Sequence, residues 1–302
     1  MVIASAMQPI WRFMVENNTQ LKEMIRSMVI DLLQGQKQEA ASSQPVKQAP
    51  RGQVEPGVFD TVDDAIQAAK AAQARFEDCT LATREKVIAD IRATMRPRVQ
   101  ELAQKTVEET GMGRVADKVL KLNLTLDKTP GVEDLVTECE TGDNGMTLYE
   151  LSAYGVIGAI TPSTNPAETL ICNTIGMLAA GNAVFFSVHP GAKHLSRLLV
   201  SELNQIIAKS IGIENLIVTL REPSIESAQE MMLHPDVSLL VVTGGPGVVK
   251  QALQSGKKVI GAGAGNPPAF VDETADIKKA AQDIVLGASL DNNILCIAEK
   301  SV

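Results

Sequence analysis

Apolar and polar positions change rhythm along the 302 residues of the chain. Between Thr19 and Leu33 the apolar residues Leu21, Met24, Ile25, Met28, Val29, Leu32 and Leu33 recur at three- and four-residue spacing. Lys22, Glu23, Arg26 and Asp31 fall elsewhere on the wheel, which predicts an amphipathic helix. Asn18 or Thr19 is placed to cap it. Such a stripe needs a partner: its own domain, another copy of the chain, or a separate protein. Gln34 to Pro56 is rich in Gln, Ala, Ser and Pro and reads as a flexible linker. Val62 to Phe76 and Thr83 to Gly111 then carry Ala, Ile, Leu and Val at helical spacing, broken by Gly111 and Gly113. Thr129-Pro130-Gly131 is a further turn, and Thr141 to Gly145 reads as a hairpin tip.

After Tyr154 short apolar runs alternate with helical patterns. The predicted strands are Gly155 to Ile160, Ala183 to Val188, Leu216 to Leu220, Ser238 to Val242, Lys258 to Ile260 and Ala269 to Val271. The predicted helices between them are Pro166 to Ala179, Gly191 to Ala208, Ser224 to Leu233 and Gly247 to Gln254, and a last one runs from Asp276 to Gly287. This alternation argues an α/β fold with a parallel, Rossmann-like sheet covered on both faces. Ligands bind such sheets at the carboxyl ends of the strands.

Composition narrows the chemistry. Hydrophobic residues make up 45% but aromatics only 3%, so the core is mainly aliphatic. A net charge of -8 without a dense Lys/Arg cluster argues against nucleic acid as a partner. No apolar run approaches a bilayer span, so no membrane association is expected. Arg12 follows the apolar residues of the first segment, the wrong end for a secretion signal. Met1 and Met14 are both candidate starts. Cys79, Cys139, Cys172 and Cys296 match neither a zinc knuckle nor a disulfide framework, so free thiols in a reducing cytosol are expected. His189, His194 and His234 are too scattered for a metal site, and none is expected.

Chemistry concentrates in the turns. In Thr161-Pro162-Ser163-Thr164-Asn165-Pro166, Pro166 suits the first turn of a helix. Asn165 either caps that helix or donates its amide to an oxygen that turns negative in a reaction. Thr243-Gly244-Gly245-Pro246-Gly247 lets a phosphate or a flat ring approach a helix N-terminus, or is a plain tight turn. Gly261 to Pro268 leaves much of its backbone bare, which costs entropy. Neither glycine turn matches the dinucleotide fingerprint, since Lys250 and Asn266 stand at the last glycine position. Cys296 follows in an amide-rich segment and is either a buried structural thiol or a nucleophile.

Taken in order, the motifs at 161–166, 189–193, 242–247, 256–268 and 271–276 and the Cys296 segment resemble the CoA-acylating aldehyde dehydrogenases of bacterial microcompartments. Within that family the propionaldehyde enzymes of propanediol utilisation resemble it most, then the acetaldehyde enzymes of ethanolamine utilisation. The likeness runs from about residue 55 to the end. It implies an aldehyde-dehydrogenase-like cofactor domain over 57–270, with a helical lead-in and hairpin. The start of the catalytic domain would follow over 271–302, after a targeting helix at 1–34 and a linker at 35–56. It implies Cys296 as nucleophile and Asn165 as oxyanion donor. NAD would be held by Thr161, Pro162, Ser163, Thr164, His189, Pro190, Gly244 and Gly245, with coenzyme A as co-substrate and a short aliphatic aldehyde, propionaldehyde favoured. NAD over NADP is inherited from the family, since Gly191 and Ala192 stand where hydrolytic relatives place an acid. Those relatives also carry a glutamate base where alignment through Asn266-Pro267-Pro268 puts Ala262, so transfer to a thiol rather than to water is implied. The Leu21 to Leu33 helix would dock to a shell protein inside a cytoplasmic microcompartment, and the full-length enzyme would be a homo-oligomer. The family continues past the cysteine, so little activity and exposed apolar faces are expected of the chain ending at Val302. The alternative is a non-catalytic product that keeps nucleotide binding or shell docking.

Overall fold

The computed structural model describes residues 55–263 and 265–302. The helix expected over Thr19 to Leu33, and most of the linker expected over 34–56, lie outside the described residues. Glu55 takes ion pairs from Arg197 (2.7 Å) and Arg221 (2.9 Å), which fixes where the chain enters the fold.

A short strand, β1 (Val58–Phe59), leads into α1 (Val62–Glu77). Thr61 accepts the Asp64 N–H and caps α1, and Asp63 and Asp64 complement the helix dipole. The single helical stretch expected from Thr83 to Gly111 is divided. α2 (Leu81–Met95) and α3 (Val99–Thr110) are separated by a tight turn at Arg96-Pro97-Arg98. Pro97 cannot donate to the preceding turn, and this interrupts the helix. Gly111 ends α3 in the left-handed region, at φ 66°. α4 (Val115–Lys128) follows where no helix is expected from the sequence. The hairpin β2 (Glu138–Gly142) and β3 (Gly145–Tyr149) turns at Asp143-Asn144 and is exposed along its whole length.

The alternating part matches its expectation closely. It comprises β4 (Val156–Ile160), α5 (Pro166–Ala179), β5 (Ala183–Ser187), α6 (Lys193–Ile211) and β6 (Ile217–Leu220). It continues through α7 (Ile225–Leu233), β7 (Val237–Thr243), α8 (Pro246–Leu253), β8 (Lys258–Ala262) and α9 (Ile277–Ser289). The strand expected at Ala269 to Val271 does not form; only an isolated bridge from Pro268 to Ser301 is present there. The Ala269 N–H donates to the Ser301 carbonyl at 2.9 Å, and that single contact does not extend into a ladder among the described residues.

The sheet runs β1-β6-β5-β4-β7-β8, and every pairing in it is parallel. β4, β5 and β6 are buried at every position, as continuous apolar runs in a doubly covered sheet must be. Right-handed crossovers place α5 and α6 on one face and α7 and α8 on the other. α2 packs on α5 and α6, while α1 packs on β5 and β6. Phe76, Phe185, Phe186, Leu170 and Leu199 are among the residues of the continuous core that results.

Candidate active site

β5, β4, β7 and β8 are consecutive neighbours in the sheet, so their carboxyl ends lie along one edge. Strand order reverses between β4 and β7, the switch point at which open α/β sheets bind ligands. The fold therefore gathers the turns at Thr161, His189 and Gly244, which are scattered in sequence.

Thr161 is 2% exposed, and its N–H donates to the Ser187 carbonyl at 3.2 Å. Its buried hydroxyl has no hydrogen-bond partner among the described residues. Pro162, Ser163 and Thr164 continue the turn half-buried. After β5, His189 accepts the Gly191 N–H at Nδ1 (3.0 Å), and both His189 and Pro190 are exposed. After β7, the Gly244 N–H donates to the Ala262 carbonyl at 3.1 Å and ties the ends of β7 and β8 together. Gly245 caps α8 with Pro246 behind it. A Cβ on Gly245 or Gly247 would meet nothing within 4 Å, so packing among the described residues does not require glycine there. A bare helix N-terminus at a strand end suits an anionic group. The orphaned Thr161 hydroxyl and this cradle fit a dinucleotide.

Pro166 opens α5 as expected, but Asn165 does not cap the helix. Its side chain faces two ammonium groups instead. Oδ1 accepts a hydrogen bond from Lys121 and a second from Lys118 at 3.3 Å. Lys118 also donates to the Thr164 carbonyl. Nδ2 reaches only the Thr164 hydroxyl, at a long 3.4 Å, and keeps donor capacity for another acceptor.

The lysines belong to a buried cluster. Lys118 and Asp291 are fully buried, with Nζ 3.0 Å from Oδ2, and Lys121 pairs with the same oxygen. Glu168 stands 3.3 Å from Lys121 and 4.0 Å from Lys118. These separations are those of ion pairs, yet neither Glu168 oxygen has hydrogen-bond geometry to a partner among the described residues. Two cations and two anions balance, which is the condition for burying such groups at all. Burial draws the Lys118 ammonium below its ordinary value; Lys121 adds to this, and Glu168 opposes it. Burial by itself would raise Asp291. Hydrogen bonds from Lys121, the Arg114 N–H and Lys118 outweigh it and hold the carboxyl below the usual range.

Asp291 also opens the loop that carries Cys296. Asp291, Asn292 and Asn293 are all left-handed, at φ 50°, 55° and 60°. Asp and Asn tolerate that region better than other side chains. The Asp291 carboxylate accepts the Arg114 N–H (2.9 Å), and its own N–H donates to Asp117 (2.9 Å). Gly113, at φ +78°, makes room: a Cβ there would stand 2.1 Å from an Asp291 oxygen. Asn293 donates to the Ala288 (2.7 Å) and Glu299 (3.0 Å) carbonyls and knits the loop together. Cys296 is exposed and free, so it is not a buried structural thiol. Its backbone rests on Gly265, where a Cβ would come within 1.9 Å of the Cys296 carbonyl oxygen.

Sequence reasoning places Asn165 and Cys296 in the site but misses Lys118, Lys121 and Asp291. The Asp-Asn-Asn run ahead of the cysteine was the available signal for the last.

Residues 33–302 match the profile of the aldehyde dehydrogenase family. The chain is 50% identical over 286 residues to a CoA-propanoylating propanal dehydrogenase of Salmonella typhimurium, covering 95% of this chain and 60% of that one. It is similar to the structure of a propionaldehyde dehydrogenase from the fucose utilisation microcompartment of Clostridium phytofermentans. There the TM-score is 0.79 and the identity 52%, over 82% of this chain and 57% of the other. A Rhodopseudomonas palustris propionaldehyde dehydrogenase, solved with bound CoA and an acylated cysteine, gives a TM-score of 0.79 at 52% identity, over 82% and 58% of the two chains. The chain thus spans less than two thirds of the relatives it matches. With the profile matched over most of its length, it belongs to the aldehyde dehydrogenase family.

Proposed function

We propose that the protein carrying this chain oxidises a short aliphatic aldehyde, propionaldehyde favoured, to its acyl-CoA with reduction of NAD. The observation that carries this reading is the exposed Cys296, seated on Gly265 at the sheet's carboxyl edge, in a chain half identical to a CoA-propanoylating propanal dehydrogenase. The Cys296 thiolate adds to the aldehyde carbon, and the carbonyl oxygen takes up the negative charge. Asn165 Nδ2 donates to that oxyanion, together with the Cys296 N–H. Thr161 to Thr164, His189, Pro190, Gly244 and Gly245 would hold a nicotinamide dinucleotide, which would supply the hydride acceptor for that carbon. Loss of hydride leaves a thioester on Cys296. The thiolate of coenzyme A attacks it, the C–S bond to Cys296 breaks, and the cysteine leaves as thiolate. Ala262 offers no carboxylate at the end of β8 to activate water, which supports transfer to a thiol.

The reading is tested by following NADH formation in the full-length protein with propionaldehyde and coenzyme A. Cys296→Ala should abolish it, and Asn165→Ala should lower kcat by about 100- to 1,000-fold. Turnover that survives Cys296→Ala would end the proposal. The same reading assigns the Leu21 to Leu33 helix to docking on a microcompartment shell protein, and the full-length enzyme to a homo-oligomer. Deleting residues 1–34 should leave the protein diffuse in cells that make shells; unchanged loading would refute that assignment.

A further inference from the structure

We propose that Lys118 and Lys121 are positioning residues that lock the Asn165 amide to the loop bearing Cys296, with Asp291 as their shared anchor. The proposal rests on the roles given to Asn165 and Cys296 above.

Lys118 and Lys121 are one helical turn apart on α4 and project from the same face. Both donate to Asn165 Oδ1, and both pair with Asp291 Oδ2. Asp291 stands five positions ahead of Cys296 and is tied to the start of α4 through Arg114 and Asp117. The turn after β4 and the nucleophile loop are thus joined through one pair of ammonium groups.

The pair fixes more than distance. An Asn side chain offers an oxygen to one side and an NH2 to the other. Turning the NH2 toward two ammonium groups would set donor against donor. Only one of the two amide orientations is compatible with the lysines, and it aims Nδ2 away from them. Positive charge at Oδ1 also polarises the amide and strengthens its remaining N–H as a donor. Apolar side chains of similar volume would hold α4 in place as well as this cluster does. What the lysines add is the direction of the Asn165 donor and its tie to the loop.

The test uses the full-length protein. Lys121→Met alone leaves two buried carboxylates against one lysine and risks misfolding. The pair Lys121→Met/Asp291→Asn keeps the charges balanced. The pair should lower kcat for CoA-dependent NADH formation about 100-fold, as a displaced reacting group does. KM for the aldehyde and Kd for NAD should stay within about twofold. In an Asn165→Ala background the same pair should cause a clearly smaller fold-loss, because part of its effect runs through that amide. Equal fold-losses in both backgrounds would overturn the proposal. Hydrogen exchange supplies a readout that needs no turnover. Peptides spanning 161–169 and 290–297 should both exchange about tenfold faster in the pair variant, while β5 and β6 are unchanged. Unaltered exchange in either segment would also overturn it. Absence of aldehyde oxidation in the wild-type protein would count against the proposed function alone, and exchange would still decide the positioning role.

Discussion

A single methyl group at residue 265 would decide where the thiol sits. The atom that a Cβ there would strike is the Cys296 carbonyl oxygen, part of the backbone and unable to swing aside. Gly265→Ala should therefore shift the loop and lower turnover about 100-fold, with the alkylation rate of Cys296 by iodoacetamide changing alongside. Asp291 governs a different property. Its carboxyl lies below the ordinary 3.8 in the folded protein, so the unfolded chain takes up that proton first. Its contribution to stability is complete above the ordinary value and is lost as pH falls through the folded one. Lys118 is lowered from 10.5, so between its folded and unfolded values the unfolded chain holds more protons and stability rises with pH. Unfolding free energies from urea titrations at about pH 3 to about pH 5 should decline with acid, and Asp291→Asn should flatten that decline.

Among the elements, the edge pair β1 and β6 depends on one amide. Asn204, fully buried on α6, donates to the Val200 (3.0 Å) and Ile217 (2.6 Å) carbonyls and accepts the Asn215 N–H (3.1 Å). Asn204→Ala orphans these groups and should cost about 1–3 kcal/mol in chemical denaturation. β4 to β8 were legible in sequence because each is a short apolar run closed by glycine, proline or asparagine. β1 was not, since two residues carry no period. α4 escaped for a more physical reason: although Leu122 and Leu126 are buried, its polarity is partly inverted. Leu120 and Leu124 are each 58% exposed, while Lys118 is fully buried and Lys121 nearly so. A pattern that assigns leucine to the core and lysine to water misreads such a helix, and with it half of the candidate site. The turns after β4, β5 and β7 were legible as motifs, but their meeting at one edge follows only from strand order.

Over the whole molecule, large apolar side chains of the last fifty residues are uncovered among the described residues. Phe270 is 92% exposed and Leu286 72%, with Val285 beside Leu286 on α9 and Ile260 on β8. Exposed apolar side chains of this size favour association in water. Leu286→Lys should reduce light scattering of the purified chain at raised concentration, with secondary structure by circular dichroism unchanged. No helix among the described residues is long and apolar enough to cross a membrane.

The contact between Lys121 and Asp291 spans 170 positions of sequence. Closing so long a loop is entropically slow, and distant pairings come late in folding. Cys296 follows the last strand in sequence, so the strands and Asn165 are already synthesised when the thiol emerges. On the role proposed for it, the thiol gains its oxyanion donor only when segments far apart in the chain have closed on one another, so a copy that has not folded carries no competent nucleophile.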